Sequence, residues 1–332
     1  MISGTAAVTF THDEGESLIP TCDRLQGVNY TYGLTALDTP NTMLAVHGSS
    51  LLRSSDAGCS WQSIATLEGW DFPPSLVAAK GGNAYAWSDN RDFLVRIEGE
   101  TVTKLRAPVM SILGIGVDRN DGARLRVGGD DGTVWESVDS GDTWTFLGGL
   151  RSDAPFLYRF LFNPSNLDHI VVGTGVKGAF VTMDGGESWT ASSGLGSSQN
   201  VFNGAISPAD GDVVWIMGIN LSESDANVES RGRHIYRSTD GGLTFTSVVD
   251  ASAEVTLVNG PVMAAHPEDP DVLYWIFGTH IFDYGTDIFR YDAGSGTLSK
   301  THNGYGDINS IVFSPASPSV MYFGLESEQG VR

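Results

Sequence analysis

Carboxylate, hydroxyl and glycine recur in this chain at one spacing, Ser/Thr-x-Asp-x-Gly-x-Ser/Thr-aromatic. The copies are Ser54-Ser55-Asp56-Ala57-Gly58-Cys59-Ser60-Trp61, Ser137-Val138-Asp139-Ser140-Gly141-Asp142-Thr143-Trp144, Thr182-Met183-Asp184-Gly185-Gly186-Glu187-Ser188-Trp189 and Ser238-Thr239-Asp240-Gly241-Gly242-Leu243-Thr244-Phe245. Oxygen groups alternating with glycine are what a loop needs to wrap a hard cation. The copies lack the second and third carboxylates such a loop normally supplies, so no metal is expected at Asp56, Asp139, Asp184 or Asp240. The same residues suit a tight turn. Asp accepts hydrogen bonds from N–H groups further along, and Gly supplies the left-handed backbone that a sharp reversal needs. The hydroxyls tie the strand ends. Trp61, Trp144, Trp189 and Phe245 then begin the next strand, where large burial between sheets is expected.

Other reactive residue types form no pattern. The histidines (His12, His47, His169, His234, His266, His280, His302) have no metal-ligand spacing, and no Gly-x-Ser-x-Gly elbow exists. No cofactor is implied. Cys22 and Cys59 are the two cysteines. An oxidising compartment favours their pairing, whereas the strand frame below puts Cys22 on the face opposite Cys59. Both states stay open, because residues 12–27 form an irregular excursion.

The elements that position the turns repeat as well. A strand, a turn rich in Pro, Asp and Asn, and a second strand ending in Gly recur from Phe162-Asn163-Pro164 to Gly173, from Ile206-Ser207-Pro208 to Gly218, from Ala265-His266-Pro267 to Gly278, and from Phe313-Ser314-Pro315 to Gly324. Weaker copies end at Gly48 and Gly128. The interval between those two glycines is roughly twice the next one, which leaves room for one degenerate copy around 75–97. Short strands bounded by Gly, Pro, Asn and Asp fit four-stranded antiparallel blades. The expected fold is all-β, a single seven-bladed β-propeller over residues 1–332. Its blades are read at about 26–68, 69–105, 106–150, 151–196, 197–252, 253–302, and 303–332 plus 1–25. The sixth carries a decayed turn, Asp292-Ala293-Gly294-Ser295-Gly296-Thr297. In the seventh, Gly330-Val331-Arg332 resembles the start of a third strand. The run Thr5–Thr11 is a spare strand expected to close the ring and remove an exposed edge.

The aspartate motif resembles the Asp box, or BNR repeat, of β-propeller proteins. The resemblance covers the whole chain at the level of fold, and it implies a propeller without implying one activity. Sialidases in this group grip a carboxylate with three arginines and use a Tyr–Glu pair with an Asp acid. Their early Arg-Ile-Pro motif is missing here, and Arg106-Ala107-Pro108 stands in the wrong blade. Xyloglucanases use two paired propellers, and this chain holds one. Sortilin-type receptor ectodomains and the lumenal photosystem-assembly factor are Asp-box propellers that hold peptides or proteins, which implies binding instead of reaction.

Composition bounds the partners. The net charge is −21, from 40 acidic and 19 basic residues, and only Lys80, Lys104, Lys177 and Lys300 are lysines. Such a surface repels phosphate backbones and anionic lipids, so no nucleic acid is expected. No apolar run is long enough to span a bilayer, so no membrane insertion is expected. Residues 1–20 lack the basic start and apolar middle of a secretory signal, consistent with a mature or trimmed chain. Few lysines with many Asp, Gly, Ser and Thr resemble exported bacterial proteins, and an extracellular, periplasmic or surface-attached location is expected.

In a propeller, the blade lead-in segments and the loops between second and third strands share the rim around the channel mouth, and function is sought there. The lead-ins contain Arg24 and Tyr30, Trp70 and Asp71, Arg106, Tyr158 and Arg159, Asn203, Asn259, and Tyr305, Asp307 and Asn309. Aligned on the following Pro, Arg159, Asn203 and Asn309 are equivalent to within one residue. With Trp70 and Tyr158 they form the expected ligand-binding set. Two insertions fall on the same rim. Residues 219–233 hold Glu223, Asp225, Glu229, Arg231 and Arg233, and residues 279–286 hold His280, Phe282, Asp283 and Tyr284. The expected function is a non-catalytic binding or scaffolding module for a protein, peptide or glycan. The alternative is a carbohydrate-active enzyme, with Asp71 and Asp307 as the carboxylate pair that glycoside hydrolysis needs.

Overall fold

The computed structural model describes residues 8–22, 33–67, 74–88, 93–279, 285–304 and 308–325. Strands β1 (Val8–Thr11) and β2 (Ile19–Pro20) come first. The first full sheet is β3 (Leu34–Ala36), β4 (Met43–His47), β5 (Ser50–Ser54) and β6 (Gln62–Thr66). The second is β7 (Ser75–Ala79), β8 (Asn83–Trp87), β9 (Phe93–Glu98) and β10 (Thr101–Arg106). The third is β11 (Ile112–Val117), β12 (Leu125–Gly129), β13 (Thr133–Ser137) and β14 (Thr145–Gly149). Next come β15 (Leu157–Phe162), β16 (Ile170–Thr174), β17 (Ala179–Thr182) and β18 (Thr190–Ala191). The fifth sheet is β19 (Gln199–Ile206), β20 (Val214–Asn220), β21 (Arg233–Ser238) and β22 (Thr246–Asp250), with the short helix α1 (Leu221–Asp225) after β20. The sixth is β23 (Met263–Ala265), β24 (Val272–Thr279), β25 (Gly285–Asp292) and β26 (Thr297–Asn303). The seventh is β27 (Ile308–Ser314) and β28 (Ser317–Leu325), joined by β1 and β2 in the order β27-β28-β1-β2. Seven four-stranded antiparallel sheets make the fold a seven-bladed β-propeller.

The chain divides into two compact units. One holds Met1–Ala107, Trp275–Arg290 and Leu298–Arg332, and the other holds Pro108–Tyr274 and Tyr291–Thr297. Within each, the cores lie between consecutive sheets. In the first unit, Val8, Leu34, Ala36, Met43, Ala45, Val320 and Tyr322 fill the space between the seventh and first sheets. In the second, Val134, Phe160, Ile170 and Val172 do so between the third and fourth sheets. Second strands are covered on both faces, which is why β12 and β16 are buried throughout and read as continuous small and apolar runs. Fourth strands are sheet edges, and β6, β14, β18 and β26 are largely exposed. Gly128 is required by this stacking, because a Cβ there would lie 2.3 Å from the Phe160 ring.

The repeat ending in Pro is a turn cap. The residue before Pro accepts backbone N–H bonds from the turn: Asn163 from Ser165 at 2.9 Å, Ser207 from Ala209 at 3.2 Å, and His266 from Asp269 at 3.0 Å. The aspartate turns follow one wiring. In Thr182–Trp189, Asp184 accepts from Ser188 N (2.9 Å), Ser188 Oγ (2.5 Å) and Thr182 Oγ1 (2.6 Å), and Thr182 Oγ1 accepts from Gly186 N at 3.0 Å. Asp56, Asp139 and Asp240 repeat it with Ser60, Thr143 and Thr244. Positive φ at positions four and five explains the glycine, with Gly186 at 102° and Gly242 at 95°. In the decayed turn, the Asp292 carboxylate accepts from Ser295 N at 3.1 Å.

Four findings correct the sequence reading. A fifth aspartate turn exists at Thr11–Leu18, where Asp13 accepts from Ser17 N at 2.9 Å and Ser17 Oγ at 2.5 Å. The N-terminus therefore supplies two strands to the seventh sheet. β1 pairs with β28 from Val8↔Gly324 to Thr11↔Met321, and β2 pairs with β1. Residues 5–7 and 330–332 lie outside the described residues. Second, Cys22 is bonded to Cys59, so of the two states left open the pairing holds, and the strand frame's placement of Cys22 on the opposite face is what fails. β2 is only two residues long, so the chain leaves the seventh sheet close to its own turn and meets the first sheet's turn, where a Cβ on Gly58 would lie 2.9 Å from Thr21. Third, Phe245 is buried, but Trp61, Trp144 and Trp189 are half-buried. Trp189 packs edge-on to Phe160 at 6.2 Å and donates Nε1–H to the Gly186 carbonyl at 3.2 Å, so part of the indole covers the turn. Fourth, Arg106 ends β10 opposite Phe93 and belongs to the second sheet.

Candidate functional site

In the second unit, antiparallel order brings the lead-in segments and the loops between second and third strands to one side. Gly175 N–H donates to the Phe156 carbonyl at 2.8 Å, and Leu221 N–H to Ser198 at 3.0 Å. The aspartate turns lie at the other strand ends.

β-Bulges aim the first strands' side chains on this side. Register shifts fall between Leu157 and Arg159 in β15 and between Val201 and Asn203 in β19, which makes Tyr158 and Phe202 the extra residues. Their rings lie 4.7 Å apart, and Phe156, 64% exposed, stands 6.3 Å from Tyr158. The result is an aromatic ridge at the starts of β15 and β19. Tyr158 was in the expected set, while Phe156 and Phe202 were missed. Phe156 carried a signal in the alternation Phe156, Tyr158, Phe160, whereas Phe202 is the single aromatic residue of β19 and carried none.

The other expected residues differ in burial and in register position. Arg159 and Asn203 follow the extra residue of their strands, opposite Gly173 and Met217. Arg159 is half-buried beside the ridge. Asn203 is buried, and its Nδ2 donates to the Pro261 carbonyl at 2.9 Å, which ties down the segment leading into β23. Asn309 belongs to the first unit, is buried, and is itself the extra residue of β27, between Ile308 and Ser310. Trp70, Asp71, Asp307 and residues 280–284 lie outside the described residues.

The 219–233 insertion borders the second feature. Asn220 caps α1 by accepting from Ser222 N at 3.1 Å, while its Nδ2 donates to Glu223 Oε1 at 2.9 Å. The other Glu223 oxygen meets His234 Nε2 at 2.8 Å, and His234 Nδ1 meets Asp250 at 2.6 Å. The imidazole thus bridges the insertion to β22. Burial pushes the Asp250 carboxyl up, and hydrogen bonds from His234 and Ser247 outweigh it, leaving the group below its ordinary range. Burial likewise pushes the neighbouring Tyr236 hydroxyl up to about 12.

Between residues 229–233 and 251–259 runs a groove of about 520 Å³. Val255 and Leu257 are buried in its floor, and Arg231, Arg233 and Glu229 stand on its walls. Arg233 Nε donates to Asn259 Oδ1 at 3.3 Å. The groove adjoins the ridge, because a Cβ on Gly260 would lie 3.7 Å from Phe202 Cβ. The surface combines aromatic area, an apolar floor and guanidinium groups, which suits recognition of an extended segment of another molecule. Among the described residues, no three His, Cys, Asp or Glu side chains gather to hold a metal.

No family model matches the sequence. The dispase autolysis-inducing protein of Streptomyces mobaraensis is 47% identical to this chain over 99% of its length and 88% of the relative's. Among solved structures, YCF48 bound to D1 peptide is similar with a TM-score of 0.60 at 14% identity, covering 92% of this chain and 99% of that one. Streptogramin B lyase is similar with a TM-score of 0.63 at 11% identity, covering 95% and 97%. At these identities the two structures share the fold alone.

Proposed function

Because the chain belongs to the family of the dispase autolysis-inducing protein, we propose that it is a non-catalytic binding propeller of an exported protein, and that its partner is another protein. The observation that carries this reading is the 47% identity to a relative named for an effect on dispase. The family thereby supports a protein partner over a glycan. That YCF48, a propeller of the same fold, has been seen with a peptide is consistent with the scaffold's use. The Cys22–Cys59 bond supports an oxidising, extracytoplasmic location. The aromatic ridge of Phe156, Tyr158 and Phe202 with Arg159 beside it is the contact surface in this reading. Tyr and Phe supply large rigid contact area at little conformational cost, and Arg is enriched at such centres.

The test is direct. Purified chain is immobilised and dispase is passed over it, while a parallel incubation is followed by gel electrophoresis for self-cleavage. Association with faster dispase autolysis is the expected result. Arg159→Ala and Phe156→Ser should each weaken association about ten-fold or more with an unchanged melting temperature. If dispase neither binds nor is cleaved faster, the proposed partner is wrong. If Arg159→Ala unfolds the chain, Arg159 is a structural tie.

A further inference from the structure

We propose that the groove between residues 229–233 and 251–259 is a carboxylate-reading subsite for a segment of the bound protein. This rests on the binding reading above and names the chemistry of one part of its surface. Arg231 carries the argument. The Val228–Gly232 turn holds it at φ 49°, with its N–H on the Val228 carbonyl at 2.9 Å, and the side chain is exposed. Its guanidinium has no hydrogen-bond or ion-pair partner among the described residues. Arg233 is half-buried and is oriented by the neutral amide oxygen of Asn259, so its charge is positioned without being neutralised. Four other cations of the same unit are paired with carboxylates: Arg124 and Arg126 sit on Glu136, Arg237 on Asp271 and Lys177 on Asp153. In a chain of net charge −21, carboxylates to pair with are abundant. Arg231 and Arg233 thus line one groove with no carboxylate on either guanidinium among the described residues, and both are available to a carboxylate from outside.

The shape fits the same occupant. A volume of about 520 Å³ falls within the range of roughly 300–1,000 Å³ typical of ligand sites. The buried Val255 and Leu257 offer an apolar floor for the residue that carries or precedes the carboxylate. Planar guanidinium forks suit a carboxylate better than a neutral amide. Glu229 on the same rim makes no ion pair with either arginine among the described residues, and it disfavours a second negative charge there. The occupant is therefore a peptide segment presenting a single carboxylate, either a chain terminus or an acidic side chain, with an aromatic residue further along to reach Phe202.

Three labelled, N-acetylated peptides test this by fluorescence anisotropy: Phe-Ala-Leu as the free acid, the same as its amide, and Phe-Ala-Glu amide. Binding of at least one carboxylate peptide about ten-fold tighter than the neutral amide is expected. Arg231→Asn, which keeps a residue tolerant of positive φ, should abolish that preference, and Arg233→Gln should reduce it. Arg151→Gln, outside the groove, should leave it unchanged. Preference for the free acid alone identifies terminal recognition, and preference for the Glu peptide identifies an acidic side chain. Equal affinity for the amide, or no binding of any peptide, overturns the subsite. Dispase association measured on the same preparations separates that outcome from failure of the binding reading. Binding of dispase that persists in Arg231→Asn while the peptides fail leaves the partner in place and removes only this groove.

Discussion

Replacing Asp184 by Ala should destabilise the protein by about 1–2.5 kcal/mol, and the loss should shrink in acid. The carboxylate accepts from Ser188 N, Ser188 Oγ and Thr182 Oγ1. Those bonds hold its carboxyl at about 2, below the ordinary 3.8, with the Ser188 hydroxyl as the largest cause. In full, a difference of that size is worth about 2.4 kcal/mol. Asp184 is exposed, and solvent screening reduces the value to about 1–1.5 kcal/mol. Truncation also leaves the buried Thr182 hydroxyl without its acceptor, which adds up to about 1 kcal/mol. The folded carboxyl is depressed, so its contribution is complete above pH 3.8 and is lost as pH falls towards 2. About half should be gone at pH 3. The assay is equilibrium urea unfolding at pH 7 and pH 3 for the parent, Asp184→Ala and Glu187→Ala. Glu187 is an exposed neighbour in the same turn, and its truncation should stay within about 0.5 kcal/mol. Equal effects of the two variants at pH 7, or a pH-independent effect of Asp184→Ala, would refute the role assigned to the carboxylate.

Removing the Cys22–Cys59 bond, by reduction or by Ser at both positions, should lower stability by about 3–4 kcal/mol, the chain-entropy value for residues 37 apart; an unchanged urea midpoint would contradict it. His169 is kept neutral chiefly by burial, which outweighs its bond to the Gly241 carbonyl and the nearby Asp212, so its pKa is depressed. Its contribution is present above about pH 6.5 and lost as pH falls, and His169→Gln should flatten the slope of stability between pH 7.5 and 5.5. An unchanged slope in the variant would place the titration elsewhere. Glu223→Ala removes the partner of both Asn220 Nδ2 and His234 Nε2, so amide exchange across residues 221–233 should quicken about ten-fold while the global midpoint hardly moves. Exchange unchanged in that segment would mean that the His234 bridge does not hold the insertion.

How much was legible in the sequence follows the range of each interaction. The aspartate turns were legible because each is closed by bonds between residues two and four apart, such as Thr182 to Asp184 and Asp184 to Ser188. The fifth turn at Thr11–Leu18 has the same wiring but is less legible, because Leu18 stands where the others carry an aromatic residue. Its signal was present, since Thr11, Asp13, Gly15 and Ser17 keep the spacing. Bulges were half legible. The lead-ins aligned to within one residue, but which residue is extra depends on the partner strand, and this separates Asn309 from Arg159 and Asn203.

The sequence by itself determined the number of sheets and the place of the four aspartate turns that carry an aromatic residue, because short-range hydrogen bonds and the alternation of small, apolar and turn residues encode them locally. Only the tertiary structure decided what lies across a gap. Cys22 meets Cys59 because β2 is too short to carry the chain to the far side. His234 joins Glu223 to Asp250, and the 229–233 segment finds its opposite wall at 251–259. Such contacts depend on how sheets stack and where loops return, and stacking is set by side-chain volumes summed over neighbouring blades, a quantity no local stretch of sequence contains.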